Sequence, residues 1–202
     1  FSGKKFYAVA SAALNALADQ PRAPASRQTL TTPTVKTEAR KRESSGIHAG
    51  TVLGGRYRVI AQLGAGGMGV VYKAHDIELD DVVALKMLRP GVLVDSEQLE
   101  RLKSEIKLAR RITHPNVLRT FDFGEVDGRP FISMEYVRGL TLRYLLSEAK
   151  RVPYSAGLRI ARQLAAGLAA AHEVGVLHRD IKPENLILEA NVNAKLMDFG
   201  IA

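Results

Sequence analysis

A glycine-rich segment between two strand-like segments is the feature that most constrains the fold of this chain. Residues 64–71 read GAGGMGVV, and apolar residues are frequent at 58–63 before them and at 70–74 after them. Two strands joined by such a turn form a hairpin whose backbone can approach a ligand without obstruction by Cβ atoms. The spacing G-x-G-x-x-G also opens the helix of dinucleotide-binding folds, but here a strand pattern follows, which disfavours that fold. Taken alone, the segment is also compatible with an ordinary hairpin turn.

A lysine interrupts the next apolar segment. Residues 82–88 read VVALKML and predict a third strand with Lys86 near its end. Burying an unpaired ammonium group is costly, so the pattern predicts a nearby carboxylate and an anionic ligand. Glu105 is the best placed carboxylate, because it lies three residues from Leu102 on the apolar face of the following predicted helix. The alternative is that the Lys86 side chain extends to the surface.

The remaining patterns predict a β-rich lobe followed by a helical one. A helix is predicted at 96–112, with a capping residue at its start and the apolar residues Leu99, Leu102, Ile106, Ala109 and Ile112 on one face. Further along the chain we expect strands at 117–123 and 130–136, helices at 141–150 and 155–173, and short strands at 186–188 and 195–197. This order indicates an α+β fold.

Two polar segments in the helical half are typical of catalysis. Residues 178–185 read HRDIKPEN and supply a carboxylate, an amide and cations without any hydrophobic periodicity. Residues 198–200 read DFG and follow a predicted strand, so the Asp198 carboxylate would lie at a strand end where a metal could reach it. Each motif alone is common by chance. Their occurrence in order with the glycine-rich segment and Lys86 is not.

Together these motifs form the protein-kinase signature set. The chain resembles the eukaryotic-like serine/threonine protein kinases of bacteria, and the segments that carry the resemblance are GAGGMGVVYKAHD, HPNVLR, MEYVRG, HRDIKPENLIL and LMDFGIA. The resemblance implies a bilobal kinase fold with the complete small lobe at 51–138 and the first part of the large lobe at 139–202. We expect the chain to be truncated just after D-F-G and therefore inactive by itself.

The resemblance implies that ATP is the nucleotide and that the first lobe holds its phosphates. Three glycines would fold over the phosphates, namely Gly64, Gly66 and Gly69. Lys86 would hold the α- and β-phosphates, and Glu105 would orient Lys86 through an ion pair. That ion pair would be the on/off element of the enzyme.

The resemblance also implies a site for the adenine. Its expected residues are Val71, Ala84, Met134, Glu135, Val137 and Ile187. Met134 would stand as the gatekeeper, and the backbone groups of Glu135 and Val137 would hydrogen bond to the edge of the adenine. The other three side chains would enclose its faces.

Phosphoryl transfer to serine or threonine is the implied reaction. Asp180 would accept or orient the proton of the attacking hydroxyl, and Lys182 would stabilise the transferring group. Asn185 and Asp198 would bind Mg²⁺. A lysine two residues after the catalytic aspartate accompanies serine/threonine specificity in this family, so protein substrates with such hydroxyls are expected. Arg179 resembles the arginine of kinases whose activation loop is ordered by phosphorylation, which indicates autophosphorylation, in trans.

Two other functions remain open from the sequence. The first is a catalytically silent kinase-like module that binds nucleotide or serves as a scaffold, which the intact set of Lys86, Asp180, Asn185 and Asp198 argues against. The second is a small-molecule kinase of related fold, which the complete H-R-D-x-K-x-x-N loop disfavours.

The first 50 residues differ in character from the rest. Residues 2–18 place apolar side chains at helical spacing, which predicts an amphipathic helix. This helix resembles the last helix of a response-regulator receiver domain at the end of an upstream domain; a secretory signal is the less favoured alternative. Residues 19–50 are rich in Pro, Thr, Ser and basic residues and predict a flexible linker.

Charge and composition narrow the choice of partner and location. Of the net charge of +8, residues 1–50 carry +5, so the predicted folded part is only mildly basic. No aromatic residue interleaves with the basic run at 40–42, and no nucleic-acid partner is predicted. The chain has no Cys, which excludes a disulfide framework and a Cys nucleophile. No apolar run is long enough for a membrane span, and the use of ATP indicates a cytoplasmic protein.

Overall fold

A six-stranded antiparallel sheet forms the first lobe of the structure. The structure is a computed structural model, and it describes residues 47–91, 95–149 and 152–199, except for the side chain of Ser96. The strand order is β1-β2-β3-β4-β6-β5. The strands are β1 Val52–Leu53, β2 Tyr57–Ala65, β3 Gly69–Asp76, β4 Asp81–Leu88, β5 Thr120–Val126 and β6 Arg129–Glu135. The glycine-rich segment is the predicted hairpin turn, closed by a hydrogen bond from the Gly66 N–H to the Gly69 carbonyl at 2.9 Å.

One helix packs against this sheet. Helix α1 spans Ser96–Ala109 and buries Leu102 and Ile106 in a cluster with Ile132 of β6. The N-cap is Asp95, whose carboxylate accepts a hydrogen bond from the backbone N–H of Gln98 at 2.7 Å. The helix ends three residues before the predicted end at 112, because the last N–H groups turn back to nearer carbonyls, as Ile112 does to Ala109.

The strand predicted at 117–123 begins later than expected. Leu118 donates its N–H to the carbonyl of Leu196 at 2.8 Å, and Val117 forms a parallel bridge with the same residue. These two residues therefore pair with the second lobe, and β5 starts only at Thr120.

The second lobe combines a small sheet with two helices. Its strands are β7 Gly139–Thr141, β8 Leu186–Glu189 and β9 Ala194–Leu196, and its helices are α2 Leu142–Ala149 and α3 Tyr154–Glu173. A 3₁₀ turn at Pro183–Asn185 leads into β8. The core between these elements contains Leu145, Ile160, Ala171, Leu188 and Leu196. The structure thus confirms the predicted α+β, two-lobed fold.

Asn116 joins the two lobes. Its side-chain nitrogen lies 2.9 Å from Gln163 Oε1, 2.9 Å from Asn193 Oδ1 and 2.8 Å from the carbonyl oxygen of Ala194. Gln163 belongs to α3, Ala194 is the first residue of β9, and Asn193 directly precedes it. Residues 116–118 are therefore fixed on the second lobe.

The last residues of the predicted linker belong to the folded lobe. Ile47 packs against the first-lobe core, and the N–H of Gly50 donates to the carbonyl of Val59 at 2.8 Å. The predicted helix at 2–18 and the linker up to residue 46 lie outside the described residues. Among the residues that are described, no helix is both long and apolar enough to cross a membrane.

Candidate active site

Three side chains of the loop between α3 and β8 form one polar cluster. The Lys182 ammonium lies 2.5 Å from Asp180 Oδ2. Asn185 donates from its side-chain nitrogen to the same carboxylate oxygen at 3.0 Å and to the Asp180 carbonyl at 2.8 Å. The hydrogen bond from Lys182, supported by that from Asn185, holds the pKa of Asp180 below its ordinary value. The same contact raises the pKa of Lys182.

His178 attaches this loop to the D-F-G segment. Its ring is almost completely buried and accepts a hydrogen bond on Nδ1 from the Asp180 N–H at 3.2 Å. The proton is therefore on Nε2, which lies 2.9 Å from the carbonyl oxygen of Met197. The ring also contacts the Phe199 ring, with centroids 4.6 Å apart. The sequence singled out the motif that contains His178 but assigned no function to this residue.

Two residues of these motifs have left-handed backbone conformations. Arg179 has a φ of 65° and Asp198 a φ of 63°. Such angles are uncommon for residues other than glycine and cost about 1 kcal/mol or more each. Strain of this kind is frequent at functional sites.

Lys86 is buried, as its apolar strand predicts, but its carboxylate partner is not the predicted one. The ammonium lies 2.9 Å from Asp198 Oδ1, and only 7% of the residue is exposed. Glu105 instead accepts a hydrogen bond from Arg179 Nη1 at 2.9 Å. The predicted Lys86–Glu105 ion pair is therefore wrong for this structure, because each carboxylate is already neutralised by a different cation.

The glycines of the hairpin differ in what surrounds them. A Cβ added to Gly69 would lie 2.0 Å from the carbonyl oxygen of Met87, so close strand packing requires glycine there. A Cβ added to Gly64 or Gly66 would have no protein atom within 4 Å. Packing within the described residues therefore does not explain these two glycines, whereas the close approach of a ligand does.

Most residues predicted around the adenine lie in one cluster at the junction of the lobes. Val71, Ala84, Met134 and Val137 share an apolar cluster with Met197, which directly precedes the D-F-G motif. Ala84 and Met134 are direct neighbours across β4 and β6. Ile187 lies on β8 opposite Lys195, outside this cluster. The N–H of Glu135 donates to the Arg119 carbonyl at 2.9 Å. Because this N–H is already used, the carbonyl of Glu135 is the backbone group of this residue to consider for an adenine contact.

The residues predicted to bind Mg²⁺, Asn185 and Asp198, lie on segments that one backbone hydrogen bond joins, and they have suitable chemistry. The N–H of Met197, directly before Asp198, donates to the carbonyl of Asn185 at 2.9 Å. Because the amide nitrogen of Asn185 faces Asp180, its amide oxygen remains as a ligand. Carboxylate and amide oxygens are the ligands that Mg²⁺ prefers. The described residues contain no group of three or more His, Cys, Asp or Glu side chains arranged for a metal.

The fold and the arrangement of these motifs define a protein of the protein kinase class. The family described as "Protein kinase domain" matches residues 57–202. The chain belongs to this family.

Its relatives are bacterial kinases. The chain is 42% identical over 160 residues to serine/threonine-protein kinase pkn3 of Myxococcus xanthus, a match that covers 77% of this chain and 29% of that protein. It is 41% identical over 154 residues to serine/threonine-protein kinase PrkC of Bacillus subtilis, with 76% and 24% covered. The solved PknI kinase domain of Mycobacterium tuberculosis is similar with a TM-score of 0.70 and 35% identity, over 77% of this chain and 62% of that one. The predicted resemblance is confirmed, and the chain spans less than a third of the curated relatives' length.

Proposed function

We propose that the protein carrying this chain is a serine/threonine protein kinase that transfers the γ-phosphate of ATP to hydroxyl groups of protein substrates, with Mg²⁺ as its metal. The observation that carries the proposal is the cluster of Asp180, Lys182 and Asn185, which two hydrogen bonds join to the D-F-G segment: Met197 to Asn185 and His178 to Met197. Phosphoryl transfer requires positioning and neutralisation of charge more than covalent chemistry, and this cluster supplies both.

Asp180 acts on the substrate hydroxyl. Because the pKa of its carboxyl group is lowered, Asp180 is ionised at neutral pH and can accept a hydrogen bond from the hydroxyl of serine or threonine. A carboxylate with a lowered pKa is a weak base, so orientation of the hydroxyl is its main contribution. Lys182, which already contacts Asp180, brings a positive charge to the place where negative charge develops during transfer.

Lys86 and the glycine hairpin hold the phosphates of the nucleotide. Lys86 is fixed on β4 and is nearly buried, so an anionic ligand would gain a strong interaction with it. The open space at Gly64 and Gly66 lets backbone N–H groups approach the phosphate oxygens. Asn185 and Asp198 would hold Mg²⁺, which neutralises phosphate charge when bound.

The adenine lies against the apolar cluster at the junction of the lobes. Val71 and Ala84 would contact one face of the ring and Ile187 the other. Of the backbone groups beside Met134, the carbonyl of Glu135 and the groups of Val137 would bind its edge. Use of ATP supports a cytoplasmic location for this part of the protein.

The test is to incubate the complete protein with Mg²⁺ and ATP and to locate any phosphate by mass spectrometry. Phosphoserine or phosphothreonine on the protein itself or on an added protein supports the proposal, and the former also supports autophosphorylation. A folded protein that binds ADP but incorporates no phosphate would favour a catalytically silent module. Phosphorylation of a small molecule but of no protein would favour the small-molecule kinase.

A further inference from the structure

An ion pair connects the end of the first sheet with the small sheet of the second lobe. Lys195 Nζ lies 2.9 Å from Glu135 Oε1 and 3.1 Å from Glu135 Oε2. The Lys195 side chain is 11% exposed and that of Glu135 is 32% exposed, so water screens the pair only in part. None of the motifs in the sequence includes Lys195.

The position of Lys195 follows from the alternation of side chains along β8 and β9. Leu186, Leu188 and Leu196 are buried in the core of the second lobe. Lys195 and its cross-strand partner Ile187 therefore share the opposite face of the sheet. Ile187 is proposed to contact one face of the adenine, so Lys195 lies directly beside the proposed nucleotide site.

Glu135 is held by the first lobe as well. Its N–H donates to the Arg119 carbonyl at 2.9 Å, and its Oε2 accepts from the Arg119 N–H at 3.2 Å. The side chain thus has one partner in each lobe. Glu135, whose carbonyl we place at the edge of the adenine, is therefore held by Arg119 on one side and by Lys195 on the other.

The pair lies in a different cavity from the nucleotide contacts. Together with Ile112, His114 and Phe121 it lines a cavity of about 430 Å³. The residues proposed to contact the adenine, other than Glu135, are absent from the lining of this cavity. Because the cavity is open, water can hydrate Glu135 when Lys195 is removed, and the fold is not left with a buried unpaired charge.

We infer that Lys195 is a positioning residue for nucleotide binding, which acts by fixing Glu135 and with it the backbone at the adenine edge. The inference rests on the proposed nucleotide site. Lys195 does not touch the reacting groups, so its loss changes the affinity for nucleotide more than the rate of the chemical step.

The experiment compares the complete protein with its variants Lys195→Met, Lys195→Arg and Glu135→Gln. For each protein, calorimetry gives the Kd for ADP with Mg²⁺, and steady-state kinetics give KM for ATP and kcat. Lys107→Met, an exposed lysine on α1, is the matched control. We expect Lys195→Met to raise Kd and KM by roughly three- to tenfold with kcat within about twofold, as for a coupling between neighbouring partly buried groups. Lys195→Arg restores most of the affinity because a guanidinium can reach the same carboxylate. The double variant Lys195→Met with Glu135→Gln binds no more weakly than Lys195→Met alone.

An unchanged or lower Kd in Lys195→Met overturns the inference. A loss of ADP affinity in Lys107→Met as large as that in Lys195→Met overturns it too. A loss of ADP affinity in Lys195→Met that matches its fall in thermal stability, and that Lys195→Arg does not restore, also overturns the inference, because the role of Lys195 is then only structural. If the protein binds ADP but transfers no phosphate, the proposed function fails while the binding comparison still decides the inference. If it binds no nucleotide, both fall.

Discussion

The guanidinium of Arg179 donates to the carboxylate of Glu105 at 2.9 Å. This contact joins the H-R-D motif to α1 and occupies the carboxylate that the family resemblance assigns to Lys86. Lys86 in turn pairs with Asp198. A change of partner by Glu105, from Arg179 to Lys86, would release Arg179 for another anion, such as a phosphorylated residue.

The substitution Glu105→Gln tests whether this exchange matters for activity. If Glu105 becomes the partner of Lys86 in the active arrangement, as the family resemblance implies, we expect kcat/KM to fall by roughly tenfold, equivalent to about 1.4 kcal/mol. Thermal stability changes little, since the Arg179 side chain is 58% exposed and an exposed ion pair contributes little. Steady-state kinetics and thermal unfolding measure the two effects. Glu100→Gln, on the same helix and paired with the exposed Lys103, is the control, and equal activity in both variants would contradict the assignment.

The ion pair between Arg56 and Asp76 predicts how stability depends on pH. The Arg56 guanidinium donates to the buried Asp76 carboxylate from Nη2 at 2.6 Å and from Nε at 2.9 and 3.1 Å, and it holds the pKa of Asp76 below its ordinary value of 3.8. The carboxylate therefore stabilises the fold above about pH 4, and this stabilisation is lost as the pH falls through the lowered pKa. We expect Asp76→Asn to cost about 2 kcal/mol at pH 7, since Arg56 then loses its buried carboxylate partner and keeps the exposed carboxylate of Glu78 at 3.3 Å.

Urea unfolding of the wild-type protein and of Asp76→Asn between pH 3 and pH 7 tests this prediction. The difference between them should shrink toward pH 3. Asp80→Asn, at an exposed turn position, should stay within about 0.5 kcal/mol of wild type. A difference that is constant with pH would show that the charge of Asp76 is not what stabilises the fold.

The lowered pKa of Asp180 has Lys182 as its main cause. Lys182→Met should therefore raise the pKa of the Asp180 carboxyl group toward its ordinary value, and Asn185→Ala should raise it less. Carbon NMR of labelled aspartate side chains, with Asp180→Asn to assign the signal, measures this pKa. An Asp180 titration that is the same in Lys182→Met and wild type would contradict the geometry of the cluster.

The two kinds of glycine in the hairpin predict opposite effects of alanine. Gly69→Ala should destabilise the first lobe, because the new Cβ would collide with the carbonyl of Met87. Gly66→Ala should leave thermal stability unchanged and weaken the binding of ADP with Mg²⁺, because its Cβ would enter the space assigned to phosphates. Thermal unfolding and calorimetry on both variants separate the effects. Equal ADP affinity in Gly66→Ala and wild type would remove the hairpin from the phosphate site.

Much of the fold is predictable from local pattern. The hairpin of β2 and β3, the apolar β4 and the helices α1 to α3 follow from periodicity and turn residues, which act over short stretches of chain. The start of β5 does not, because Val117 and Leu118 pair with Leu196, almost 80 residues away. A contact of that kind leaves no mark in the local sequence.

The candidate site likewise contains residues that the sequence singles out and contacts that it does not. The sequence singles out the segment of Asp180, Lys182 and Asn185, because hydrophobic periodicity does not explain its polar residues, and the family resemblance assigns their roles. It does not decide which of two carboxylates pairs with Lys86, since Glu105 and Asp198 both lie far along the chain. Nor does it single out Lys195, whose only signal is a charged residue in a short strand of otherwise buried residues.

The rate of phosphate transfer from ATP by the complete protein and by Asp180→Asn decides whether Asp180 acts as proposed, with Asp127→Asn at an exposed turn as control. The substitution keeps the size of the side chain and removes the charge that we propose orients the hydroxyl. We predict that incorporation into serine or threonine falls by roughly a hundredfold or more in Asp180→Asn and is unchanged in Asp127→Asn. Transfer at the wild-type rate by a folded Asp180→Asn protein would contradict the account.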